Sequence, residues 1–292
     1  MVKTRKTCVF IGASGRIGRL LRHSSARGGF GIPDMYWQIR NAGGVEDKSF
    51  IWNDFSDPEP LCTLAGRTGG IDTLFVFAGV SASGSKTSDA DMEVGVTLVA
   101  DALRAARLAG VPRCLVASSS AVYGESIGRP FDEAAPLSPV NAYGRSKVEM
   151  ERRLAGLDGV TCLRIGNVAG ADVLLQNLSL DEDAPPRPLD IFPDGQGPRR
   201  NYIGPRDLAR VLGGLAQYDG ALPKVLNVGA RRPVAMNALL DAAGAAYTPR
   251  QCAASPHQDI VLACDLLETY CAGASGVGDP VDIIAQWAAC RS

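Results

Sequence analysis

The sequence CVFIGASGRIG, residues 8–18, carries the strongest indication of the fold. A short apolar run leads directly into three glycines spaced G-x-x-G-x-x-G, and a helical pattern follows over 16–27. Glycines permit a tight turn and let the backbone approach a pyrophosphate, while the helix N-terminus adds free N–H groups. The segment therefore predicts a dinucleotide-binding turn, although three glycines also suit a plain tight turn. The residues predicted to contact the cofactor here are Gly12, Ser14, Gly15, Arg16, Ile17 and Gly18.

Strand-like and helical segments alternate after this turn, which favours an α/β fold with a doubly wound, parallel Rossmann sheet. The predicted strands are 8–12, 34–40, 49–53, 71–79, 113–119 and 160–166. The predicted helices are 16–27, 88–109, 143–157, 205–217, 234–246 and 280–289. We expect a Rossmann domain over 1–166 and a small mixed C-terminal substrate lobe over 167–292, interleaved with it. The cluster of prolines and glycines between Pro185 and Pro198 predicts a loop that walls the substrate cleft.

Composition narrows the class of partner. The chain has 292 residues and a net charge of −1, so nothing favours a nucleic-acid partner. No apolar run reaches the roughly 18 residues of a membrane helix, and the basic start MVKTRKT lacks a signal-peptide core. The eight cysteines form no C-x-x-C pair, which is typical of a reducing compartment and not of a metal site. We expect a cytoplasmic protein with a small-molecule substrate, no metal and no membrane partner.

The end of the second predicted strand bears on the choice between NAD and NADP. An acidic residue there binds the ribose hydroxyls of NAD, whereas an arginine suits the 2′-phosphate of NADP. This strand ends Gln38-Ile39-Arg40-Asn41, without an acid. Arg40 therefore favours NADP, and Arg16 is placed to assist; the alternative is a solvated Arg40 and NAD as the cofactor.

A second group of residues predicts proton-transfer chemistry. Tyr143 and Lys147 lie four apart at the start of a predicted helix and so share one face. A nearby ammonium lowers the pKa of a phenol, so the tyrosine could exchange a proton with a substrate oxygen while a hydride moves to or from the carbon. Ser118, Ser119 and Ser120 end a predicted parallel strand, where α/β sheets bind ligands. A hydroxyl there can bind the substrate oxygen.

With these motifs in hand, the sequence resembles the extended short-chain dehydrogenase/reductase family, also called the NAD-dependent epimerase/dehydratase family. The resemblance implies that Ser119, Tyr143 and Lys147 are catalytic, that the last two also hold the cofactor, and that Ser120 lies at the substrate. By position in further family-like motifs, it implies additional cofactor contacts from Asp54, Phe55, Ala78 and Gly79, and substrate contacts from Asn167 and Arg200.

The departures from the family pattern disfavour some of the family's activities and substrates. Ser120 and Ala121 stand where dehydratases of the family carry an Asp-Glu pair, which argues against elimination of water. The stretch 255–259 lacks an arginine that nucleotide-sugar enzymes often have, although Arg200 keeps such a substrate open. The helix after the fourth strand lacks the family's usual asparagine at 93–97. The short C-terminal lobe fits a smaller substrate.

Three functions remain open at this stage. The first is an NAD(P)-dependent reductase or dehydrogenase acting on a sugar-like or other small polar substrate; the second is a nucleotide-sugar epimerase that retains its cofactor. The third is a protein that senses NADP(H) without catalysis, which the intact Ser119, Tyr143 and Lys147 disfavour. A homodimer through helices 88–109 and 143–157, with Leu98, Val99 and Leu103 on the contact surface, is a further possibility. His23 is expected at the surface, and His257 is a candidate for facing the cleft.

Overall fold

The computed structural model describes residues 5–40, 48–79, 89–176, 178, 186–255 and 257–291. Among the residues singled out from the sequence, Asn41, Pro185, Pro256 and the predicted first helical residue at 88 lie outside these ranges. The strands are β1 (Thr7–Ile11), β2 (Asp34–Ile39), β3 (Ser49–Ile51), β4 (Thr73–Val76), β5 (Cys114–Ser119), β6 (Val160–Ile165), β7 (Asn167–Val168), β8 (Arg187–Ile191), β9 (Arg199–Arg200), β10 (Tyr202–Ile203), β11 (Val225–Val228), β12 (Val234–Ala235), β13 (Tyr247–Gln251) and β14 (Asp259–Ile260). The α-helices are α1 (Arg16–Ala26), α2 (Glu59–Thr68), α3 (Asp89–Leu108), α4 (Ala142–Leu154), α5 (Pro205–Gln217), α6 (Met236–Ala242), α7 (Asp265–Cys271) and α8 (Pro280–Ala288).

Seven parallel strands form the central sheet, in the order β11-β6-β5-β4-β1-β2-β3. The chain starts in the middle and winds outward in both directions, so the strand order reverses between β1 and β4. Such a reversal opens a crevice at the carboxyl ends of the strands, where ligands of open α/β sheets bind. This topology confirms the predicted doubly wound Rossmann fold.

Alternating side chains of the central strands supply two separate cores. Phe10 faces the layer of α1, α5 and α7, whereas Val9 and Ile11 face the layer of α2, α3 and α4. Because both faces are covered, β1 and β4 are buried along their whole length, which is why they are apolar at nearly every position.

The second of these cores corrects the proposed dimer surface. Val99 is 2% exposed and Leu103 is 6% exposed, because α3 packs on the sheet and against α4 within one chain. These two side chains therefore cannot form the contact surface of a homodimer, which would need other residues.

The C-terminal half contributes to both parts of the molecule. Residues 205–228 return to the Rossmann layer as α5 and β11, while short strand pairs and the helices α6 and α8 enclose a separate small core. The predicted loop between Pro185 and Pro198 contains β8, which pairs with β13. None of its described residues lines the cleft identified below.

Three further observations concern expectations from the sequence. His23 is half-buried, and its Nε2 is shielded from solvent without a hydrogen-bond partner among the described residues, so it is not the surface residue expected. All eight cysteines carry free thiols. Of the helices in the described ranges, none combines the length and apolar character needed to cross a membrane.

Candidate active site

The glycine turn between β1 and α1 has the geometry that its sequence requires. Gly12 has a φ of +93°, and a Cβ there would lie 2.7 Å from the carbonyl carbon of Phe77. A Cβ on Gly18 would lie 2.2 Å from the carbonyl oxygen of Gly12, so the first turn of α1 can sit against the loop only without a side chain. Among the described residues, no side chain caps the N-terminus of α1. The turn therefore fits a dinucleotide pyrophosphate, which would bind to these backbone N–H groups.

Gln38 supports the glycine turn by hydrogen bonds, a role that was not predicted from the sequence. It is buried on β2, where its Oε1 accepts a hydrogen bond of 2.9 Å from Gly12 N. Its Nε2 donates to the Trp52 carbonyl oxygen at 2.7 Å. The amide thus ties the first glycine to the segment after β3. A polar residue within the otherwise apolar end of a parallel strand was the available signal.

The start of α4 places Tyr143 beside the end of β5. Asn141 caps the helix, and its Oδ1 accepts a hydrogen bond of 2.8 Å from Gly144 N. A Cβ on Gly144 would lie 2.4 Å from the Ala121 carbonyl oxygen, so the first turn of the helix lies directly on the segment that follows Ser119. This close approach brings the two halves of the predicted catalytic set to one wall of the cleft.

The three predicted catalytic residues meet in the same cleft. Ser119 Oγ accepts a hydrogen bond of 3.2 Å from Ala121 N, which orients the hydroxyl at the start of a short 3₁₀ helix, Ser120–Val122. Lys147 Nζ lies 5.7 Å from the centroid of the Tyr143 ring and donates to the Ala117 carbonyl oxygen at 2.9 Å. A cation is therefore held near the phenol by the backbone of the strand that carries Ser119.

The cleft has a volume of about 630 Å³ and lies at the carboxyl edge of the sheet, where the strand order reverses. Of the residues predicted from the sequence, it is lined by Gly12, Ser14, Gly15, Arg16, Ile17, Gly18, Ala78, Gly79, Ser119, Ser120, Tyr143, Lys147, Asn167 and Arg200. Arg40, Asp54 and Phe55 are not among the lining residues. Arg40 and Asp54 are exposed beyond the ends of β2 and β3, while Phe55 is buried against Trp52 with ring centroids 4.5 Å apart.

Cations predominate along the described part of the cleft, which is lined by Arg16, Arg19, Lys147 and Arg200 against the single carboxylate of Asp172. Arg200 is anchored by backbone carbonyls: its guanidinium donates to Arg199 O at 2.7 Å, Gln258 O at 3.0 Å and His257 O at 2.8 Å. Desolvation lowers the pKa of Arg200, and the nearby Tyr202 and Asp259 act in the opposite direction without reversing it. A charged group held in this way favours an anionic ligand.

The side chain of Arg16 contacts the segment that follows β7. Its Nη1 donates to Gln176 Oε1, in the segment after β7, so the side chain points across the cleft toward the lobe. The sequence prediction that Arg16 assists Arg40 in binding a 2′-phosphate has no support in this contact.

Asp172 was not predicted to line the cleft, and its carboxylate has a structural role. Its carboxylate accepts hydrogen bonds from Tyr202 OH at 2.8 Å, Leu174 N at 3.1 Å and Leu175 N at 3.4 Å. Burial raises the pKa of Asp172. These contacts fold the segment after β7 into the wall of the cleft, in the place where the sequence predicted the later proline-rich loop.

Tyr123, the other tyrosine near the serines, is excluded as the proton-transfer group. It is buried, donates to Asn227 Oδ1 at 2.7 Å and accepts from Arg164 Nη1 at 2.9 Å. Burial raises the pKa of Tyr123 to about 12. His257 does not line the cleft either; its ring is exposed, with Nε2 3.4 Å from Glu125 Oε1.

Comparison with known proteins agrees with this architecture. The family model described as "NAD dependent epimerase/dehydratase family" matches residues 8–229. The chain is 32% identical over 143 residues to UDP-glucose 4-epimerase of Halalkalibacterium halodurans, a match covering 46% of this chain and 42% of that protein. UDP-glucose 4-epimerase of Streptomyces lividans is 31% identical over 140 residues, covering 45% and 42%. In these sequence matches the chain spans less than half of each curated relative's length.

Solved structures resemble the whole chain. The UDP-Glc/GlcNAc 4-epimerase of Campylobacter jejuni superposes with a TM-score of 0.74 at 19% identity, over 98% of this chain and 99% of that one. At this identity the likeness concerns the fold. The family match, which covers most of the chain and both the glycine turn and the Ser119, Tyr143 and Lys147 set, shows that this chain belongs to the NAD-dependent epimerase/dehydratase family.

Proposed function

We propose that the chain is an NAD(P)-dependent oxidoreductase of the extended short-chain dehydrogenase type, acting at a hydroxyl or keto carbon of a sugar-like or other small polar substrate. The observation that carries the proposal is that one cleft is lined both by the glycine turn and by Ser119, Tyr143 and Lys147. A dinucleotide seated on the turn would extend along the sheet edge toward these side chains, and a nicotinamide ring there would give or take the hydride.

The protein's own groups supply the proton transfer and the orientation. Tyr143 is half-buried in the cleft and exchanges a proton with the substrate oxygen as the bond order at carbon changes. Lys147 places its ammonium 5.7 Å from the centroid of the Tyr143 ring, and Ser119 positions the substrate oxygen by a hydrogen bond. Since Tyr123 is buried and bonded to Asn227 and Arg164, Tyr143 is the tyrosine assigned to this role.

The proposed role of Tyr143 is tested by Tyr143→Phe, which should abolish turnover and leave cofactor affinity within about threefold, because only the hydroxyl is removed. Tyr218→Phe is the matched control, since its ring packs on Tyr270 outside the cleft. Substantial residual activity in Tyr143→Phe would refute the assignment.

For the cofactor we propose NADP, with NAD as the alternative. The support is Arg40, which is exposed just after β2 and forms no hydrogen bond or ion pair with other described residues, leaving it available to a 2′-phosphate. A structure of a short-chain dehydrogenase/reductase from Agrobacterium tumefaciens with bound NAD, related at 17% identity and a TM-score of 0.74, favours the alternative. Calorimetric titration of Arg40→Asp and of the unaltered protein with NADP and with NAD tests this choice. An unchanged ratio of the two affinities would show that Arg40 does not bind the 2′-phosphate.

A nucleotide-sugar epimerase that retains its cofactor is the second candidate. Two observations favour it: the sequence relatives are UDP-glucose 4-epimerases, and the half-buried, positively charged Arg200 in the cleft suits a phosphate. The two candidates differ in their use of cofactor. An epimerase should purify with bound dinucleotide and convert UDP-glucose to UDP-galactose without net change in absorbance at 340 nm, whereas a reductase should consume NADPH in proportion to product.

A further inference from the structure

A buried ion pair lies directly behind the cleft and has no part in the chemistry described so far. Arg164 on β6 is 4% exposed and Glu151 on α4 is 7% exposed. The guanidinium donates from Nε to both carboxylate oxygens at 3.1 Å and from Nη2 to Oε2 at 2.7 Å. The pair therefore links the helix that carries Tyr143 and Lys147 to the strand beside β5.

Ser118 joins this pair to the strand that carries the catalytic serine. Its Oγ donates to Glu151 Oε1 at 2.5 Å, so the hydroxyl of this cleft-lining residue is bonded to the ion pair. Lys147, one helical turn before Glu151, donates to the carbonyl oxygen of Ala117. Lys147 and Glu151, one turn apart on α4, thus bond to Ala117 and Ser118, the two residues immediately before Ser119.

The other side of the network holds the segment that follows Ser119. Arg164 Nη1 donates to Tyr123 OH at 2.9 Å and to Glu133 O at 3.0 Å, and the guanidinium carbon lies 5.0 Å from the centroid of the Tyr123 ring. Tyr123 OH in turn donates to Asn227 on β11. Ser118 and Tyr123, which flank Ser119 in the chain, are therefore both held by the ion pair of Arg164 and Glu151.

Stability alone gives little reason for such a unit. Desolvating two charges offsets much of their attraction, and apolar residues of similar volume often serve a core at least as well. What an ion pair with directional hydrogen bonds adds is a fixed geometry. Here the geometry concerns the register of α4 against β5, which sets the position of Tyr143 relative to Ser119.

We propose that Ser118, Glu151 and Arg164 form a positioning unit that fixes the Tyr143 hydroxyl relative to Ser119. The inference deepens the proposed function, on which its catalytic consequence rests. In this scheme the three side chains act through α4 and β5, because each is hydrogen-bonded within the unit.

The test compares Ser118→Ala with Thr161→Val. Thr161 is a matched control because it is also buried in the sheet, and its Oγ1 donates to Pro223 O at 2.7 Å at the opposite end of β6 from the cleft. Each variant loses one buried hydroxyl hydrogen bond, so thermal melting should show similar losses of stability. The chain contains seven tyrosines, which can be labelled with ¹³C at Cζ, and the Tyr143 resonance can be assigned from its disappearance in Tyr143→Phe.

We expect the Tyr143 resonance to shift and broaden in Ser118→Ala and to stay unchanged in Thr161→Val. With a turned-over substrate, Ser118→Ala should lower kcat on the order of 10-fold with little change in KM, because misplacement of a reacting group slows chemistry more than binding. An unchanged Tyr143 resonance in Ser118→Ala, or equal shifts in both variants, overturns the proposal. A selective shift together with full activity in Tyr143→Phe would instead keep the positioning unit and refute the proposed function.

Discussion

Gly144 offers a way to move Tyr143, the proposed catalytic tyrosine, without changing any polar group. It lies in the first turn of α4, directly after Tyr143, and a Cβ on it would lie 2.4 Å from the Ala121 carbonyl oxygen and 2.8 Å from Pro139 Cβ. Both neighbours belong to the segment between β5 and α4. The substitution Gly144→Ala must therefore push the helix start and this segment apart.

The size of the displacement follows from the contact distance. Ordinary contact begins at 3.4 Å, so relief of the overlap at 2.4 Å requires a movement of about 1 Å between helix and backbone oxygen. A misplacement of that size at a reacting group costs about 10²-fold in rate. Stability should change less, because overpacking costs about 1–3 kcal/mol while alanine in place of glycine returns up to about 1 kcal/mol of helix propensity.

The assay pairs steady-state kinetics with urea unfolding. Gly66→Ala in α2 is the control, because a Cβ at that helical position meets nothing within 4 Å. It should gain about 1 kcal/mol or less of stability and keep full activity. Gly144→Ala should lose about 10²-fold in kcat while remaining folded and binding cofactor.

Two results would refute this reasoning. If Gly144→Ala keeps its kcat, the distance between α4 and the Ala121 carbonyl does not set the position of the reacting hydroxyl. If the activity lost equals the fraction of protein unfolded, the glycine serves only the fold.

Three further predictions follow from buried groups. Arg164→Met should cost about 3–5 kcal/mol of unfolding free energy by stranding the Glu151 carboxylate, whereas Arg164→Met combined with Glu151→Met should recover much of that loss; additive effects in urea unfolding would contradict the pairing. Gly18→Ala should abolish cofactor binding measured by calorimetry, since its Cβ would lie 2.2 Å from the Gly12 carbonyl oxygen; binding within threefold of the unaltered protein would contradict the tight turn. Burial raises the pKa of Cys114 from 9.0 to about 12, so this thiol stabilises the fold fully below pH 9 and progressively less as the pH rises toward 12, by up to about 4 kcal/mol. Cys114→Ala should accordingly show a shallower fall in stability between pH 9 and 11, and parallel curves for the two proteins would contradict it.

Local patterns sufficed for most of the Rossmann half of the fold, although α2 and β11 were not predicted. Strands buried on both faces are apolar throughout, so β1, β4 and β5 could be recognised from their composition. A strand that runs directly into spaced glycines is typical of a dinucleotide-binding turn. The helix α2 was missed because Pro60 and Gly66 interrupt its pattern. The helix α7 has seven residues, too few for a periodic signal.

The cleft was predicted less completely, for a physical reason. The residues found in the sequence belong to contiguous motifs at strand ends and on one helix face. Gln38 and Asp172 act instead through contacts with residues distant in the chain, Gly12 and Tyr202, and no local spacing indicates such pairs. The same applies to Val99, whose apolar character indicates burial without indicating whether a partner or the chain's own sheet covers it.

The groups available for proton transfer limit which reaction of the family this cleft can support. Elimination of water needs an acid and a base in addition to the hydride step, and Ser120 and Ala121 occupy the positions where the resemblance expects that pair. The one carboxylate among the described lining residues, Asp172, already accepts three hydrogen bonds from the cleft wall and from Tyr202. Tyr143 is the proton-transfer group that we propose for this cleft, and it is matched to one hydroxyl–carbonyl interconversion at a time. Reduction requires that step once and epimerisation requires it twice at the same carbon, so the two proposed activities share every side chain of the catalytic set and differ in whether the cofactor leaves between the steps.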